Sequence, residues 1–477
     1  MNSSAPVAAC CTGIVFCGVE IFDALTSILL TLVCLALLWG VFAPSRRTVL
    51  RLGWLSWTEA ELCRHFLITG DTGSGKTTRG INVLLRQLTC NVPNWGGMVL
   101  GVKGDEGRLM TRLAELQGRG QDILHLQVRP DSESTLWKPP HRFNLVGDRS
   151  IPWSTHAKLL VDIASSMTEG RQSAFFRPMA QLAIAQAFQL LDELNRPVHI
   201  AAAYRLLTIS SMTQEAIREL EQLPPNAQRL GLIEFFETTF TRAQAYEQRE
   251  AVEGTIKTFL GFFMDPDVEA VFSSDLPDTF RVGDVDHGKI ITVSIPQRLA
   301  TERRYVQTFL KLILYIHALK RFDLPEPELK RANLLLLVAD EFQDIATASE
   351  DGMSDHKLVD RVRAAKLCLI AAMQSELSLD PAIGPARRKV LTLNLRSRLI
   401  FRSADAEGAL IGADFVGKRT VWKKSRTMRP FSGATVTRHE DEEYLVKPSK
   451  LMRLRDGQAV VVHPSKRFSK LSPRPVY

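Results

Sequence analysis

The sequence lacks the paired cysteines that would hold a zinc ion or a network of disulfides. Its seven cysteines are scattered along the chain, at positions 10, 11, 17, 34, 63, 90 and 368. No two of them form a C-x-x-C pair and none belongs to a cluster with histidines, which excludes the common zinc-binding spacings. The pattern also excludes a small secreted domain held together by disulfides. We therefore expect a reducing compartment for the body of the protein.

No Lys or Arg precedes Arg46, and residues 24–42 carry no charge of either sign. This stretch, ALTSILLTLVCLALLWGVF, has 19 residues. A helix of that length, at about 1.5 Å per residue, nearly crosses a hydrocarbon layer of about 30 Å. A cleaved signal peptide would need a basic start and a shorter apolar core. The sequence therefore predicts a membrane anchor at residues 1–50, with a transmembrane helix at 24–42.

The residues around the predicted span indicate its orientation. Arg46, Arg47 and Arg51 follow it directly, and the positive-inside rule then places the C-terminal body in the cytoplasm. A shorter apolar run at residues 7–19 is followed by acidic residues. It is either the first arm of a membrane hairpin or an interfacial segment, and both alternatives stay open.

Excess charge of one sign is confined to the C-terminal part of the chain. The net charge is +8, and residues 415–477 alone hold 15 Lys and Arg against 5 Asp and Glu. The rest of the chain is near neutral, and an apolar fraction of 45% suits a large folded core. A local basic segment binds nucleic acid or anionic lipid, or is a solvated surface. Its candidate DNA contacts are Lys423, Lys424, Arg426 and Arg429.

A phosphate-binding loop is the most specific feature of the sequence. The residues HFLIT predict a strand, and GDTGSGKT after it matches the complete pattern G-x-x-x-x-G-K-[ST]. The glycines allow a tight turn whose backbone N–H groups point at the phosphates of a nucleotide, together with the positive end of the next helix. We expect Lys76 to reach the β- and γ-phosphates and the Thr77 hydroxyl to bind Mg²⁺. The predicted nucleotide-binding residues are Gly70, Thr72, Gly73, Ser74, Gly75, Lys76, Thr77 and Thr78.

Two adjacent carboxylates end another predicted strand. The apolar run NLLLLVA leads into Asp340 and Glu341, which predicts a central parallel strand whose carboxyl end lies at the ligand-binding edge of the sheet. We expect Asp340 to hold Mg²⁺ through water and Glu341 to orient or deprotonate the attacking water. Gln374 ends the next predicted strand. Its amide either senses the γ-phosphate or is simply exposed to solvent.

Strand and helix patterns alternate along most of the chain, as in a nucleotide-binding domain with a parallel sheet. Between residues 154 and 272 only helical periodicity is found. The sequence therefore predicts an α/β fold. A RecA-like P-loop domain with a mostly parallel sheet is expected at residues 51–153 and 273–477, with an all-helical insertion domain at 154–272 and the basic segment at its C-terminal end.

Several motifs resemble the type IV secretion coupling proteins of the TraD/TraG kind, membrane-anchored relatives of the FtsK/HerA motor ATPases. They are TGDTGSGKTT, VKGDEGRL, GDVDHGKIITVSIPQ, LLLLVADEFQDIAT, DRVRAAKLCLIAAMQSELSL, NLRSRLIFRSADAEGA and LVKPSKLMRLRDGQAVVV. The phosphate loop indicates only a nucleotide, whereas the DEFQ strand followed by RAAKLCLIAAMQS is the specific part. The resemblance covers about residues 24 to 465. One departure is the anchor, because the family usually has two membrane helices and only one clear span is present here.

The resemblance implies an ATP- and Mg²⁺-dependent motor on the bacterial inner membrane, with most of the chain in the cytoplasm. It implies a homo-hexameric ring with nucleotide sites at subunit interfaces. The ring would carry DNA, single-stranded and without sequence readout, together with an attached protein. A relaxase or relaxosome and the proteins of a conjugation channel would be its partners. By position in the motifs, Arg363 would be an arginine finger for a neighbour's γ-phosphate and Gln374 a sensor, with Arg361 and Arg396 as rival fingers.

Two other functions stay open at this point. One is a related pump for double-stranded DNA of the FtsK/HerA kind, against which the helical insertion argues. The other is an ATP-gated membrane receptor that recruits protein effectors to a secretion system and uses nucleotide only to assemble.

Overall fold

The computed structural model describes residues 47–167, 176–240, 246–349, 353–429 and 433–477. The segment Val49–Tyr477 forms one compact unit. The predicted span at residues 24–42 and the shorter apolar run at 7–19 lie outside the described residues. Within the described ranges, no helix combines the length and the apolar character that crossing a membrane requires.

The strands of the described residues are, in chain order, β1 Thr48–Leu52, β2 Leu55–Thr58, β3 Phe66–Thr69, β4 Gly96–Leu100, β5 Ile123–Gln127, β6 Arg142–Phe143, β7 Thr279–Phe280, β8 Ile290–Ser294, β9 Leu335–Ala339, β10 Leu367–Met373, β11 Ser397–Ile400, β12 Lys418–Arg429, β13 Gly433–Tyr444, β14 Ala459–Val462 and β15 Phe468–Leu471.

The α-helices are Glu59–Leu62, Asn82–Asn91, Glu106–Glu115, Trp153–Met167, Phe176–Glu193, Ile200–Thr208, Ser210–Glu221, Ala227–Glu234, Tyr246–Leu260, Pro266–Phe272, Ala300–Leu319, Glu326–Arg331, Asp355–Ala364, Asp380–Ile383, Pro385–Asn394, Ala406–Val416 and Pro448–Met452. Two π-helical turns occur at Lys76–Ile81 and Phe235–Phe240.

A nine-stranded sheet organises the molecule, in the order β15-β14-β11-β3-β10-β9-β4-β8-β5. The seven strands from β11 to β5 are parallel, whereas β14 and β15 extend the sheet as an antiparallel hairpin. The prediction of an α/β fold with a mostly parallel sheet is confirmed. Strand β10 separates β3, which leads into the phosphate loop, from β9, which leads into Asp340. The carboxyl ends of these three strands lie at one edge of the sheet.

Alternate residues of the central strands pack into two cores, one on each face of the sheet. In β9, Leu335 and Leu337 belong to the larger core, while Leu336 and Val338 belong to the smaller one. Since both faces are covered, the strand sequence is a continuous apolar run, and this run is the signal by which it was predicted.

The larger core continues from the sheet into the helices between residues 153 and 272. These helices therefore share one apolar interior with a face of the sheet. The predicted domain boundaries at 51–153, 154–272 and 273–477 stay a prediction.

Candidate functional site

The phosphate loop lies at the carboxyl edge of the sheet, between the ends of β10 and β11. The Gly70 N–H donates to the Gln374 carbonyl oxygen at 3.1 Å, and the Asp71 N–H donates to the Arg402 carbonyl oxygen at 2.7 Å. The Ser74 hydroxyl closes the loop by donating to the Asp71 carbonyl oxygen at 2.6 Å. The loop is thus held to two neighbouring strand ends before any ligand binds.

Two glycines of the loop adopt backbone conformations that other residues rarely take. Gly73 has φ of 78° and Gly75 has φ of 104°, both in the left-handed region that costs a residue with a Cβ atom. The chain enters its π-helical turn immediately after Gly75. The backbone therefore turns sharply enough to present free N–H groups at the start of the helix, as phosphate binding requires.

The buried side chain of Lys76 lies inside this turn. Its Nζ atom donates to the Gly70 carbonyl oxygen at 2.8 Å and to the Asp71 carbonyl oxygen at 3.3 Å. An ammonium with three donors that is held by two carbonyl oxygens keeps a donor for a further acceptor. The position suits a lysine that moves onto a phosphate when a nucleotide enters the loop.

Thr77 and Asp340 meet across the edge of the sheet, although 263 positions separate them in the chain. The Thr77 Oγ1 atom donates to the Asp340 Oδ2 atom at 2.8 Å. Asp340 is held in place because its N–H donates to the Leu100 carbonyl oxygen at 3.0 Å. Burial raises the pKa of Asp340, against the opposing effect of the hydrogen bond from Thr77, and the neighbouring charge of Glu341 raises it further. A cation at this point would relieve the cost of the buried carboxylate.

Glu341 sits next to this pair in a strained backbone conformation. Its φ of 51° lies in the left-handed region, which is uncommon for a residue other than glycine. Its Oε2 atom accepts a hydrogen bond from the Gln343 side chain at 2.7 Å. The turn sends the chain away from β9 directly after Asp340, so that both carboxylates lie at the carboxyl end of this strand.

A cavity of about 290 Å³ opens beside Thr77 and Asp340. It is lined by the helix after the phosphate loop, by the ends of β4 and β9, and by the helix Glu106–Glu115. Glu106 was not among the predicted site residues, although the sequence places it just after β4. Burial raises the pKa of Glu106 to about 7, with the charges of Asp105 and Asp340 acting in the same direction. Its Oε2 atom is buried and has no hydrogen-bond partner among the described residues.

The donor set beside the cavity fits Mg²⁺. The hydroxyl of Thr77 and the carboxylates of Asp340 and Glu106 are hard oxygen donors, the type that this ion prefers. The hydrogen bond between Thr77 and Asp340 shows that both oxygens approach a common point. The unpartnered Oε2 of Glu106 supplies a further acceptor for the water shell that Mg²⁺ usually keeps.

Gln374 and Arg363 lie at opposite edges of the sheet. Gln374 follows β10 directly, and its backbone carbonyl binds the first residue of the phosphate loop. Its side chain is exposed. Arg363 belongs to the last turn of the helix Asp355–Ala364, which precedes β10, and its carbonyl oxygen accepts from the Lys366 N–H at 3.1 Å. The seven residues of β10 separate the two side chains, so Arg363 is remote from the phosphate loop of its own chain.

The two alternative arginines, Arg361 and Arg396, lie at the same edge of the sheet as Arg363. Arg361 lies on the same helix, and the Arg396 N–H donates to the Arg64 carbonyl oxygen just before β3 and β11 begin. All three side chains are exposed at the amino edge of the sheet. The structure thus brings together Lys76, Thr77, Asp340, Glu341 and Gln374, and leaves the three arginines on a surface that another molecule can reach.

The sequence analysis also missed a contact between residues 473–477 and the helix that follows the phosphate loop. The Val476 N–H donates to the Thr78 carbonyl oxygen at 2.9 Å, and the Asn82 side chain donates back to the Val476 carbonyl oxygen at 2.7 Å. The Arg79 side chain donates to the Pro473 carbonyl oxygen at 2.8 Å. Such backbone contacts leave no pattern in the sequence.

Comparison with known proteins gives a consistent result. Residues 143–469 match the family described as the type IV secretion-system coupling protein DNA-binding domain. No curated protein sequence matches the chain.

Among solved structures, the unbound bacterial conjugative coupling protein TrwBdeltaN70 is similar at 17% identity and a TM-score of 0.62, over 90% of this chain and 89% of that chain. TrwB in complex with ADP and Mg²⁺ is similar at 16% identity and a TM-score of 0.61, over 90% and 89%. TrwB with a non-hydrolysable GTP analogue gives 16% and 0.59 over the same shares. At sequence identities of 16% and 17%, the similarity to these structures establishes the fold of the chain.

Proposed function

The chain belongs to the family of type IV secretion-system coupling proteins, and from this premise we propose that it is an ATP-driven DNA translocase. It delivers DNA, with an attached protein, to a type IV secretion or conjugation channel. The observation that carries the proposal is the contact of Thr77 with Asp340 at 2.8 Å beside the loop that holds Lys76. It joins the two halves of a nucleotide site that lie far apart in the sequence. The similarity to TrwB in complex with ADP and Mg²⁺, and in complex with a non-hydrolysable ATP analogue, supports ATP and Mg²⁺ as the cofactors.

The residues of the loop have distinct tasks in this proposal. The backbone of Gly70, Thr72, Gly73, Ser74 and Gly75 surrounds the phosphates, while Lys76 exchanges its carbonyl acceptors for the β- and γ-phosphate oxygens. Thr78 lies in the first helical turn, and its backbone N–H is one of those that face the phosphates. A resident Mg²⁺ supplies charge neutralisation on the phosphates when it is bound.

The residues at the ends of β9 and β10 act on the reacting water. Thr77 and Asp340 would hold the metal, while Glu341, held by Gln343, orients the water and takes its proton. Gln374, with an exposed amide next to the loop, donates to the γ-phosphate and accepts from the water. The end of β10, which carries Gln374, lies between the end of β3, which leads into the phosphate loop, and the end of β9, which leads into Asp340 and Glu341.

The assembly in this proposal is a homo-hexamer, with Arg363 reaching the nucleotide of a neighbouring subunit. Support comes from geometry, because Arg363 is exposed at the edge opposite its own phosphate loop. An arginine in that place stabilises charge on the transferred phosphoryl only from outside its own chain. In the same proposal the fold is RecA-like, residues 24–42 anchor the protein in the inner membrane of a bacterium, and residues 154–272 face the incoming relaxase or relaxosome.

The proposal is tested by a Glu341→Gln substitution, which keeps the size of the side chain and removes its basicity. We expect ATP binding to stay within about twofold of wild type, while hydrolysis falls by at least about 100-fold, as loss of a general base requires. DNA transfer in a mating assay is expected to stop. Glu328→Gln serves as the control, because it makes the same chemical change at an exposed residue of the helix Glu326–Arg331, outside the site. Transfer at the wild-type rate by Glu341→Gln would refute an ATP-driven motor.

The DNA preference of the proposed motor is tested by stimulation of ATP turnover. We expect a single-stranded oligonucleotide to raise turnover more than a duplex of the same length. The opposite order would favour a pump for double-stranded DNA.

A further inference from the structure

The helix that follows the phosphate loop begins with a π-helical turn at Lys76–Ile81. At the end of this turn the Asn82 N–H donates to the Thr77 carbonyl oxygen, five residues back. In an α-helix it would donate to the Thr78 carbonyl oxygen, four residues back. Single π-helical turns are rare and occur often at functional sites. The turn releases the Thr78 carbonyl oxygen from its ordinary partner within the helix.

Residues 473–477, which we call the strap, supply the replacement donor. The Val476 N–H donates to the Thr78 carbonyl oxygen at 2.9 Å, and the Asn82 side chain donates to the Val476 carbonyl oxygen at 2.7 Å. The Val476 N–H and the Asn82 N–H are therefore alternative donors for one acceptor. It follows that the strap stabilises the π-helical form of the turn against the α-helical form.

The strap is held at both of its ends. The Arg79 side chain donates to the Pro473 carbonyl oxygen at 2.8 Å, and the Arg112 side chain donates to the backbone oxygen of Tyr477 at 2.7 Å. Arg112 belongs to the helix Glu106–Glu115, which forms the other wall of the cavity of about 290 Å³. The strap thus connects the two helices that line this cavity.

The loop before β14 contacts the same part of the phosphate-loop helix. The Gly457 N–H donates to the Ser74 carbonyl oxygen at 2.9 Å. Gly457 has φ of 77°, and a Cβ atom at this position would lie 2.6 Å from the Cδ atom of Arg79. The hairpin β14–β15 therefore holds the start of the helix twice, through the loop that precedes it and through the strap that follows it.

The π-helical turn determines which way Thr77 faces. One residue of an α-helix corresponds to a rotation of about 100° about the helix axis. Conversion of the turn to an α-helix shifts the hydrogen bonds by one residue, so it would rotate Thr77 by about this angle relative to the rest of the helix. In the structure the Thr77 Oγ1 atom contacts the Asp340 Oδ2 atom at 2.8 Å. A rotation of that size would carry the hydroxyl away from Asp340.

We propose that the strap positions Thr77 for metal binding by holding the π-helical turn. Val476 and Asn82 are the positioning residues, and they act through the direction in which Thr77 points. When the strap is lost, the Asn82 N–H takes the Thr78 carbonyl oxygen, the turn becomes α-helical, and the Thr77 hydroxyl leaves Asp340. The inference rests on the proposed function, and it assigns a role in that site to a residue 394 positions beyond Asn82.

The test uses two variants of the full chain at position 476. Val476→Pro removes the N–H donor and keeps an apolar side chain. Val476→Ala is the matched control, because it keeps the N–H and loses apolar contact with the smaller core, against which Val476 packs. Mn²⁺ binding at saturating ADP is measured by electron paramagnetic resonance, so that no turnover is involved. Hydrogen exchange of the backbone amides in residues 76–84 reports the form of the turn.

We expect Val476→Pro to bind Mn²⁺ at least about fivefold more weakly than wild type, as loss of one hydrogen bond requires. Val476→Ala should stay within about twofold, since its hydrogen bond is intact. Amide exchange should change in the helix start of Val476→Pro and not in that of Val476→Ala. Asn82→Ala, which leaves the strap itself unaltered, should weaken Mn²⁺ binding in the same direction. It keeps the inference testable if the proline variant does not fold.

A double variant separates positioning from a general loss of stability. Thr77→Val removes the hydroxyl, so adding Val476→Pro to it should weaken Mn²⁺ binding by less than about twofold further. A full additional loss would overturn the positioning role, because the strap would then act on something other than Thr77. Wild-type affinity in Val476→Pro, or equal losses in Val476→Pro and Val476→Ala, would overturn it as well. Wild-type protein that binds Mn²⁺ with ADP but hydrolyses no ATP would overturn the proposed function alone.

Discussion

At the scale of single residues, the candidate site depends on side-chain oxygen atoms that come together from distant parts of the sequence. The hydroxyl of Thr77 and the carboxylate of Asp340 share a hydrogen bond of 2.8 Å. The carboxylate of Glu106 faces the same cavity. Phosphate-loop chemistry identified Thr77, and an apolar run ending in Asp-Glu identified Asp340. Glu106 was missed, because one acidic residue at the start of a helix is ordinary and only folding places its side chain in the cavity.

The metal requirement tests the role of Thr77. Thr77→Ser keeps the hydroxyl, so we expect it to hydrolyse ATP with a Mg²⁺ requirement within about threefold of wild type. Thr77→Val keeps the shape without the oxygen ligand and should need at least about tenfold more Mg²⁺. The measurement is ATP turnover against Mg²⁺ concentration, together with Mn²⁺ binding in the absence of turnover. Equal requirements for the two variants would contradict a metal-binding role.

The raised pKa of Glu106 predicts a pH dependence of stability in the nucleotide-free protein. Its ordinary pKa is 4.5 and its pKa in the folded protein is about 7. Between these values the unfolded chain has released the proton and the folded protein still holds it, so stability falls as pH rises. Above pH 7 both states are ionised and the loss is complete.

Glu106→Gln removes this titration. We therefore expect the melting temperature of wild type, measured without nucleotide or Mg²⁺, to fall relative to that of Glu106→Gln between pH 5 and pH 8. The difference should be on the order of 2 °C. Glu115→Gln, at an exposed residue of the same helix, is the control for a change of surface charge. Parallel melting curves for wild type and Glu106→Gln across this range would show that Glu106 is not buried as described.

At the scale of elements, a buried ion pair joins three parts of the site's framework. The Lys311 Nζ atom on the helix Ala300–Leu319 contacts the Asp355 Oδ2 atom at 2.6 Å, and both side chains are fully buried. Asp355 also accepts from the Thr347 N–H at 2.7 Å, which holds the loop after Glu341. Burial lowers the pKa of Lys311, and Asp355 opposes this effect. The pair thus ties the loop after β9 to the start of the helix that carries Arg363.

Removing one partner of this ion pair should lower the free energy of unfolding more than replacing both partners with apolar residues. Asp355→Ala leaves a buried ammonium without its partner, a loss of about 3–5 kcal/mol in the free energy of unfolding. The double change Lys311→Met and Asp355→Leu removes both charges and should cost clearly less than Asp355→Ala alone. Thermal and denaturant unfolding of the variants measures the difference. A double variant as unstable as Asp355→Ala would mean that the pair stabilises the fold by more than mutual neutralisation.

The same elements show what the sequence could and could not predict. Strands β3, β9 and β10 were recognisable because each is a buried apolar run followed by chemistry-bearing residues. The antiparallel hairpin β14–β15 and the ribbon β12–β13 were not recognised. The hairpin β14–β15 belongs to the sheet only through the pairing of β14 with β11, which no local pattern indicates. The ribbon β12–β13 has polar residues at most positions of its sequence and no alternation of apolar and polar residues. The contact of Lys311 with Asp355 joins positions 44 apart that no spacing rule connects.

At the scale of the whole molecule, the two edges of the central sheet carry different groups of side chains. The carboxyl edge of the sheet holds the phosphate loop, and the amino edge exposes Arg363, Arg361 and Arg396. The length of β10 keeps these edges apart within one chain. A ring in which the amino edge of one subunit faces the carboxyl edge of the next would complete each site from two chains. This arrangement predicts that hydrolysis depends on mixing and concentration in a way that a self-sufficient monomer does not.

Mixing two inactive variants tests the shared site directly. Lys76→Ala removes nucleotide binding but keeps Arg363, and Arg363→Ala keeps the phosphate loop but lacks the finger. If Arg363 acts on the neighbour's nucleotide, a mixed ring contains interfaces with an intact loop on one side and an intact arginine on the other. Turnover of an equal mixture should then exceed the sum of the separate variants by about tenfold or more, since such an arginine accelerates the reaction by roughly 10³-fold. Arg361→Ala and Arg396→Ala, mixed in the same way, identify which of the three arginines is responsible. A mixture no more active than its parts, in rings shown by sedimentation to contain both variants, would place the site within one chain and remove the reason for a ring.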